Sequence, residues 1–250
     1  MRLAALSDIH GNLLALEAVL TDIQAQGSPD VYWILGDLAA FCPWPSRTVA
    51  RLRALPNAEF LRGNTDRYLI TGRRPAAPVE SRQDWEHMPQ TLEARDGTFR
   101  WAVERLSYED YEFLNSLPTR LERNVAGYGQ ILAVHATVED DETNVYPEAA
   151  DDELRAYVSQ VAARLLLFGH THRVMDRRVD GVRLVNGGSV GIPLDGDPRP
   201  AYALLDFEGD ECQVTVRRVD YDRGRVLDDM ARLDHPGLEW VRGMIGEAGA

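Results

Sequence analysis

Short apolar runs separated by polar and glycine-rich punctuation dominate the chain, and their length suits buried strands better than helices. Leu3–Leu6, Val31–Leu35, Glu59–Leu61, Ile131–Val134 and Leu165–Phe168 are such runs. Between the first three, the apolar spacing predicts an amphipathic helix over Leu13–Ile23 and a second from Pro45 to about Leu55. This β-α-β-α-β order implies parallel strands joined by crossover helices. Later the pattern changes. Val174–Val185 and Ala203–Val219 each turn on a hairpin signal, Asp180-Gly181 and Glu208-Gly209-Asp210, and both predict antiparallel pairs. Two sheets packed face to face and flanked by helices accommodate both halves. Residues 72–118 open as a loop at Arg73–Pro78. With Trp85, Trp101, Tyr108, Tyr111 and Phe113 they then read as helical, which predicts an insertion inside one domain spanning residues 1–250. The tail, Val226–Gly249, predicts one or two short helices broken at His235-Pro236-Gly237.

Each strand-like run ends in a residue that binds metals. Asp8 and His10 follow the first, Asp37 the second, Asn64 the third, His135 the fourth, and His170 and His172 the fifth. Open sheets place ligands at strand ends. One intervening residue separates Asp8 from His10 and His170 from His172, so in extended chain both members of each pair face one point. For any one of these residues a helix cap or turn is sufficient explanation; five strand ends carrying such residues together point to a metal centre. Imidazole mixed with carboxylate and an amide oxygen suits Mn, Fe, Zn, Co or Ni, whereas Ca and Mg sites are built mainly from oxygen. Seven donors are too many for one tetrahedral zinc with an open position. They fit two metals bridged by a carboxylate about 3.5–4 Å apart.

The ordered series Ser7-Asp-Ile-His-Gly-Asn12, Gly36-Asp37, Gly63-Asn64, His135 and Gly169-His-Thr-His172 resembles the calcineurin-like metallophosphoesterases, in particular their small bacterial and archaeal members. The likeness continues through Leu13–Leu20, Leu106-Ser107, Ser116-Leu-Pro118, Asn186–Gly191, Asp195–Pro198 and Tyr202–Asp206. It implies a four-layer α/β/β/α sandwich of two mixed β-sheets. It also implies Asp8, His10 and His172 on a first divalent ion, Asn64, His135 and His170 on a second, and Asp37 bridging them, with manganese the first choice for both. Asp37, Asn64 and His135 are the expected catalytic group. Asn12, Arg62 and Thr65 are the expected substrate contacts. In such centres a water activated between the ions attacks phosphorus in line.

Thr65 departs from the family pattern, in which a histidine often follows the asparagine and protonates the leaving group. A threonine hydroxyl is no general acid at neutral pH, and a missing acid forfeits on the order of 10²–10⁴ in rate for poor leaving groups. The resemblance therefore implies phosphodiester hydrolysis ahead of monoester hydrolysis, and leaves Asp66 as an acceptor or turn residue. The segment after Asp37 lacks the Asp-Arg-Gly continuation of protein Ser/Thr phosphatases, so a small phosphorylated substrate is expected. Gly187, Ile192 and Leu194 replace residues that are often proline, polar or basic in relatives. The rival reading is a catalytically weak or inactive metal-binding scaffold of the same fold.

Composition narrows the rest. The 250-residue chain has 44% hydrophobic residues, enough for one substantial core, and a formal net charge of -13, which argues against general nucleic-acid binding. Two divalent ions would still make the cleft locally positive. No apolar stretch approaches membrane-span length, and Met1-Arg2-Leu3 leads straight into strand sequence, so a cytoplasmic location is expected. Cys42 and Cys212 have neither metal nor redox spacing and are expected to be buried or free thiols. His87 and His235 fall in polar or loop-like surroundings, and the acidic run Glu139-Asp-Asp-Glu142 is expected to be a solvated loop.

Overall fold

The first three apolar runs form β1 (Arg2–Leu6), β2 (Val31–Ile34) and β3 (Ala58–Phe60), paired in parallel with Leu3 opposite Val31 and Tyr32 opposite Ala58. These come from a computed structural model that describes residues 1–74, 81, 82, 93 and 96–246. The crossovers carry α1 (Leu13–Ala25) and α2 (Pro45–Arg53), and α3 (Asn64–Thr71) follows β3. The second hairpin, β9 (Ala201–Glu208) and β10 (Glu211–Arg218), adds antiparallel to the other side of β1, completing a sheet in the order β10-β9-β1-β2-β3.

The other sheet contains β4 (Arg120–Val125), β5 (Gly129–Val134), β6 (Leu165–Phe168), β7 (Val174–Val179) and β8 (Val182–Gly187), in the order β4-β5-β6-β8-β7. Its central strands β5, β6 and β8 are parallel. The β7–β8 turn is the expected Asp180-Gly181, both at positive φ, as a two-residue hairpin turn requires.

Alternation along single strands shows how the layers stack. Leu3, Ala5, Trp33, Ile131, Ala133, Leu165 and Leu167 meet in one cluster between the sheets. Ala4, Leu6, Tyr32 and Ile34 face outward onto α1 and α2, while Leu132, Val134, Leu166 and Phe168 face outward onto α5 (Asp151–Val158). Strands buried on both faces have no polar alternation to display, which is why they read as continuous apolar runs. The fold is the α/β/β/α sandwich.

Helix α3, strand β4 and helix α5 escaped the sequence reading. Strand β4 reads Arg-Leu-Glu-Arg-Asn-Val, an edge strand whose charged side chains face solvent, and α5 opens on three acidic residues. Within the segment read as an insertion, residues 96–103 are helical and α4 (Tyr108–Ser116) starts on a capping box between Ser107 and Asp110. Phe99, Ala102, Leu114 and Leu117 join the same apolar layer as α1 and α2. Residues 75–78, Trp85 and His87 lie outside the described residues, as does Gly249 in the tail. The tail forms α6 (Arg223–Arg232) and α7 (Leu238–Ile245), with the break at His235–Gly237 as expected. His235 is buried, however, with its ring 4.7 Å from that of Trp101. Both cysteines are buried free thiols. No described helix is long and apolar enough to cross a membrane.

Candidate metal centre

All seven predicted donors meet where the C-terminal ends of β1, β2, β5 and β6 converge with the start of α3. Ligating atoms of Asp8, His10, Asp37 and His172 lie within 4.8 Å of one another, and all four residues are buried. The Nε2 atoms of His10 and His172 are 3.1 Å apart, and His172 Nε2 is 3.4 Å from Asp8 Oδ1. A second group adjoins the first. Asn64 Oδ1 sits 3.0 Å from His135 Nε2 and 3.2 Å from His170 Nδ1. Asp37 Oδ2 touches both groups, 3.7 Å from His10 Nε2 and 3.5 Å from His135 Nε2.

The backbone that achieves this differs from the one the spacing implied. Asp8, His10, Asp37, His170 and His172 all have positive φ, between 51° and 66°, so the members of each pair converge from tight left-handed turns and not from extended strand. Asp and His are among the few non-glycine residues that adopt this region with any frequency. Five such residues at one place mark a strained, over-determined site. Loops also approach closer than a side chain permits: a Cβ on Gly63 would lie 2.2 Å from Asp37 Oδ1, and one on Gly169 1.9 Å from Ser7 Oγ.

Ring tautomers test whether the donor set fits a cation. A carbonyl oxygen can only accept, so Nδ1 of His135 must donate to Leu35 O (2.7 Å), Nδ1 of His172 to Ile192 O (2.5 Å) and Nε2 of His170 to Glu142 O (2.8 Å). When neutral, each of these rings turns a bare nitrogen lone pair toward the centre, where it faces Asn64, Asp8 or Asp37 oxygens or the His10 ring. Lone pairs facing lone pairs in a buried site require a positive charge between them, and carbonyl-anchored imidazoles are the usual outer support of metal sites. The donors fit a divalent transition metal.

The electrostatics agree. Burial drives the carboxyls of Asp8 and Asp37 upward, yet the facing imidazoles outweigh it and hold both below the usual carboxylate range. Burial also opposes charge on His135, but Asp37 and Asp8 overcome it and raise that imidazole to about 10, so without a cation its inward nitrogen keeps a proton in the place a metal would take. His10, where burial prevails over Asp37, falls to about 4. The pocket attracts positive charge without having protons to spare on every ring.

Asp66 takes the acceptor role expected of it, and other residues around the centre fill roles that their sequence positions did not show. Asp66 accepts the N–H groups of Asp37 and Leu38 at 2.8 Å each and that of Gly63 at 3.1 Å, joining the two loops that carry Asp37 and Asn64. Asn186 donates to Gly169 O at 2.7 Å and to Thr171 Oγ1 at 3.2 Å, fixing the His170–His172 turn, while Ser189 Oγ donates to Asp8 O at 2.8 Å. A polar Asn-Gly-Gly-Ser run ending an apolar strand was the available signal. The acidic run is no free solvated loop: its Glu142 carbonyl orients His170, and Asp141 pairs with Arg67 at 2.7 and 2.8 Å.

The expected substrate contacts divide. Asn12 is a correction. It is wholly buried, caps α1 by accepting from Ala15 N at 3.2 Å, and spends its amide on Gly191 O (2.9 Å) and Tyr221 OH (3.1 Å), leaving nothing for a phosphate. Thr65 is buried beside the centre with no partner for Oγ1 among the described residues, its N–H donating to Asp37 Oδ1 at 2.9 Å. Arg62 lines a cavity with His135.

The sequence pattern of the Calcineurin-like phosphoesterase superfamily domain matches residues 1–210. The chain belongs to this superfamily. Its fold is shared by a crystal structure of a metallophosphoesterase from Sphaerobacter thermophilus, at 26% identity and a TM-score of 0.77 over 98% of each chain. The structure of hypothetical protein PH1004 from Pyrococcus horikoshii OT3 has 25% identity and a TM-score of 0.81, covering 99% of this chain and 98% of the other. Uncharacterized protein MJ0912 of Methanocaldococcus jannaschii is 27% identical over 256 residues, 96% of this chain and 95% of its own length. As a calcineurin-like phosphoesterase the protein falls among phosphoester hydrolases, and its Asp8, His10, Asp37 and His172 cluster has the composition of a divalent-metal site.

Proposed function

We propose that the protein is a dinuclear metal-dependent phosphoesterase that cleaves phosphodiesters in preference to monoesters, with manganese as its metal. The observation that carries this reading is the position of Asp37. One of its oxygens lies 3.7 Å from His10 Nε2, beside Asp8 and His172, and 3.5 Å from His135 Nε2, beside Asn64 and His170, which suits a carboxylate that two ions would share. Asp8, His10 and His172 would hold the first ion and Asn64, His135 and His170 the second.

Two ions so held would supply a nucleophilic water near neutral pH and positive charge for the phosphoryl oxygens. The chain's own contribution is orientation. Leu35, Glu142 and Ile192 carbonyls fix three imidazoles, and Asp66 fixes the Asp37 turn. Thr65, in place of a histidine, gives no acid for a poor leaving group, which favours esters whose leaving group departs unaided.

Hydrolysis of bis-p-nitrophenyl phosphate and of p-nitrophenyl phosphate by Mn²⁺-loaded protein, with His172→Ala as control, tests the reading. Expected is metal-dependent cleavage with the higher kcat/KM on the diester, lost in His172→Ala. A monoester preference would refute the diesterase assignment, and activity unaffected by His172→Ala would refute the site.

A further inference from the structure

The described cations are mostly spent on acids. Arg2, Arg51, Arg67, Arg177, Arg183, Arg217 and Arg218 each pair with a carboxylate, as a chain with 40 acidic and 27 basic residues allows. Arg62 is different. Among the described residues it has no ion-pair partner, and its buried Nε has no hydrogen-bond partner. A guanidinium carries five donors and does not lose its charge, so burying Nε unpaired is costly unless something else accepts from it.

What surrounds Arg62 says what that is. It lines a cavity of about 310 Å³ with Arg67, Thr119, Arg120, His135 and Thr137, and with the acidic Glu139, Asp140 and Asp141. The acids are already engaged: Asp141 by Arg67, Asp140 by Glu142 N, Thr143 N and Thr143 Oγ1, and Glu139 by Gln160. His135 lines this cavity and also faces the candidate metal centre, so a group seated here adjoins that centre.

We propose that Arg62 is the specificity residue of an anion subsite beside the metal centre, taking a second phosphate or phosphonate group carried by the non-leaving part of the substrate. The inference rests on the phosphoesterase reading above and narrows its substrate class to phosphodiesters with a distal dianion. Planar, forked donors match phosphate oxygens in pairs, which a solvated lysine would not do as well. The main-chain N–H of Arg62, bonded to Pro118 O at 2.8 Å, fixes the residue independently of its side chain.

The test compares p-nitrophenyl methyl phosphate with p-nitrophenyl 2-phosphonoethyl phosphate, which share a leaving group and differ in the distal dianion. For the wild type, kcat/KM on the phosphono ester should exceed that on the methyl ester by about tenfold to hundredfold, expressed in KM, the range of one charge-assisted contact. In Arg62→Gln this ratio should collapse toward one, and Arg62→Lys should restore part of it. Wild-type turnover of the methyl ester with no preference for the dianion, or a ratio unmoved in Arg62→Gln, overturns the inference and leaves the phosphoesterase reading intact. If neither ester is cleaved, that reading fails instead. The subsite is then judged by calorimetric binding of methylphosphonate to the full chain in chelator: loss of binding in Arg62→Gln supports it, and equal or absent binding in both proteins overturns it.

Discussion

Asp66 accepts the main-chain N–H of Asp37 at 2.8 Å, and its other oxygen accepts that of Leu38 at the same distance. Asp66, two residues after Asn64, therefore holds the turn that presents the Asp37 carboxylate, and with Gly63 N it ties the ends of β2 and β3 together. Replacing it by asparagine puts an amide NH₂ against an N–H donor. Asp66→Asn should weaken metal binding by about 10–100-fold, the usual cost of losing an outer support. Competition with a metallochromic chelator measures this, and a change below twofold would show that the Asp37 turn stands without it.

Gly63 makes the same point by shape. Its Cα faces Asp37 so closely that a methyl group would sit 2.2 Å from Oδ1 and 2.6 Å from the Asp37 nitrogen. Gly63→Ala must displace the Asp37 turn, and it should destabilise the fold by about 1–3 kcal/mol, as overpacking does. Denaturant unfolding with and without Mn²⁺ should show the larger loss in the metal-loaded protein. Equal losses would mean that the turn relaxes without disturbing the site.

His235 gives a pH-dependent term away from the metals. Burial, helped by the charge of Arg105, lowers its imidazole to about 4 from an ordinary 6.5. Between those values the unfolded chain binds a proton that the folded chain does not, so folded-state stability falls as pH drops from 6.5 to 4 and is unaffected above 6.5. The term reaches about 2–3 kcal/mol at pH 4. His235→Asn, which keeps an acceptor for Gly237 N, should flatten this part of the stability curve in chelator-treated protein. A difference between the two proteins that stays constant from pH 7 to 4 would contradict it.

Thr65→His restores a protonating group at a position buried beside Asp37. It should accelerate alkyl phosphodiesters with poor leaving groups by about 10²-fold or more, and p-nitrophenyl esters much less, because only the former need an acid. Equal acceleration of both would mean that the residue acts on binding and not on the leaving group.

Much of this site was legible because parallel strands buried on both faces have to be apolar throughout, so polar residues at their ends stand out. Asp8, Asp37, His135 and His170 were found this way, whereas the outward and inward sets of Leu3–Leu6 and Leu165–Phe168 show only in the structure, since both faces are apolar. The turns were not legible. Asp-x-His fits extended chain and left-handed turns equally, and only the backbone shows that Asp8 and His10 have positive φ. Nor can local sequence reveal supports that act across the fold, such as Asn186 on Gly169 or the Glu142 carbonyl on His170. Strand β4 hid for the opposite reason: an edge strand that shows its charges to water has no apolar run to read.

Hydrolysis should need two ions joined through Asp37. Metal-stripped protein titrated with Mn²⁺ tests it when bound metal and bis-p-nitrophenyl phosphate turnover are measured in the same samples. Two ions should bind per chain, with turnover appearing as the second binds and abolished in Asp37→Asn. Turnover already maximal at one ion per chain, or two ions bound with no turnover, would contradict it.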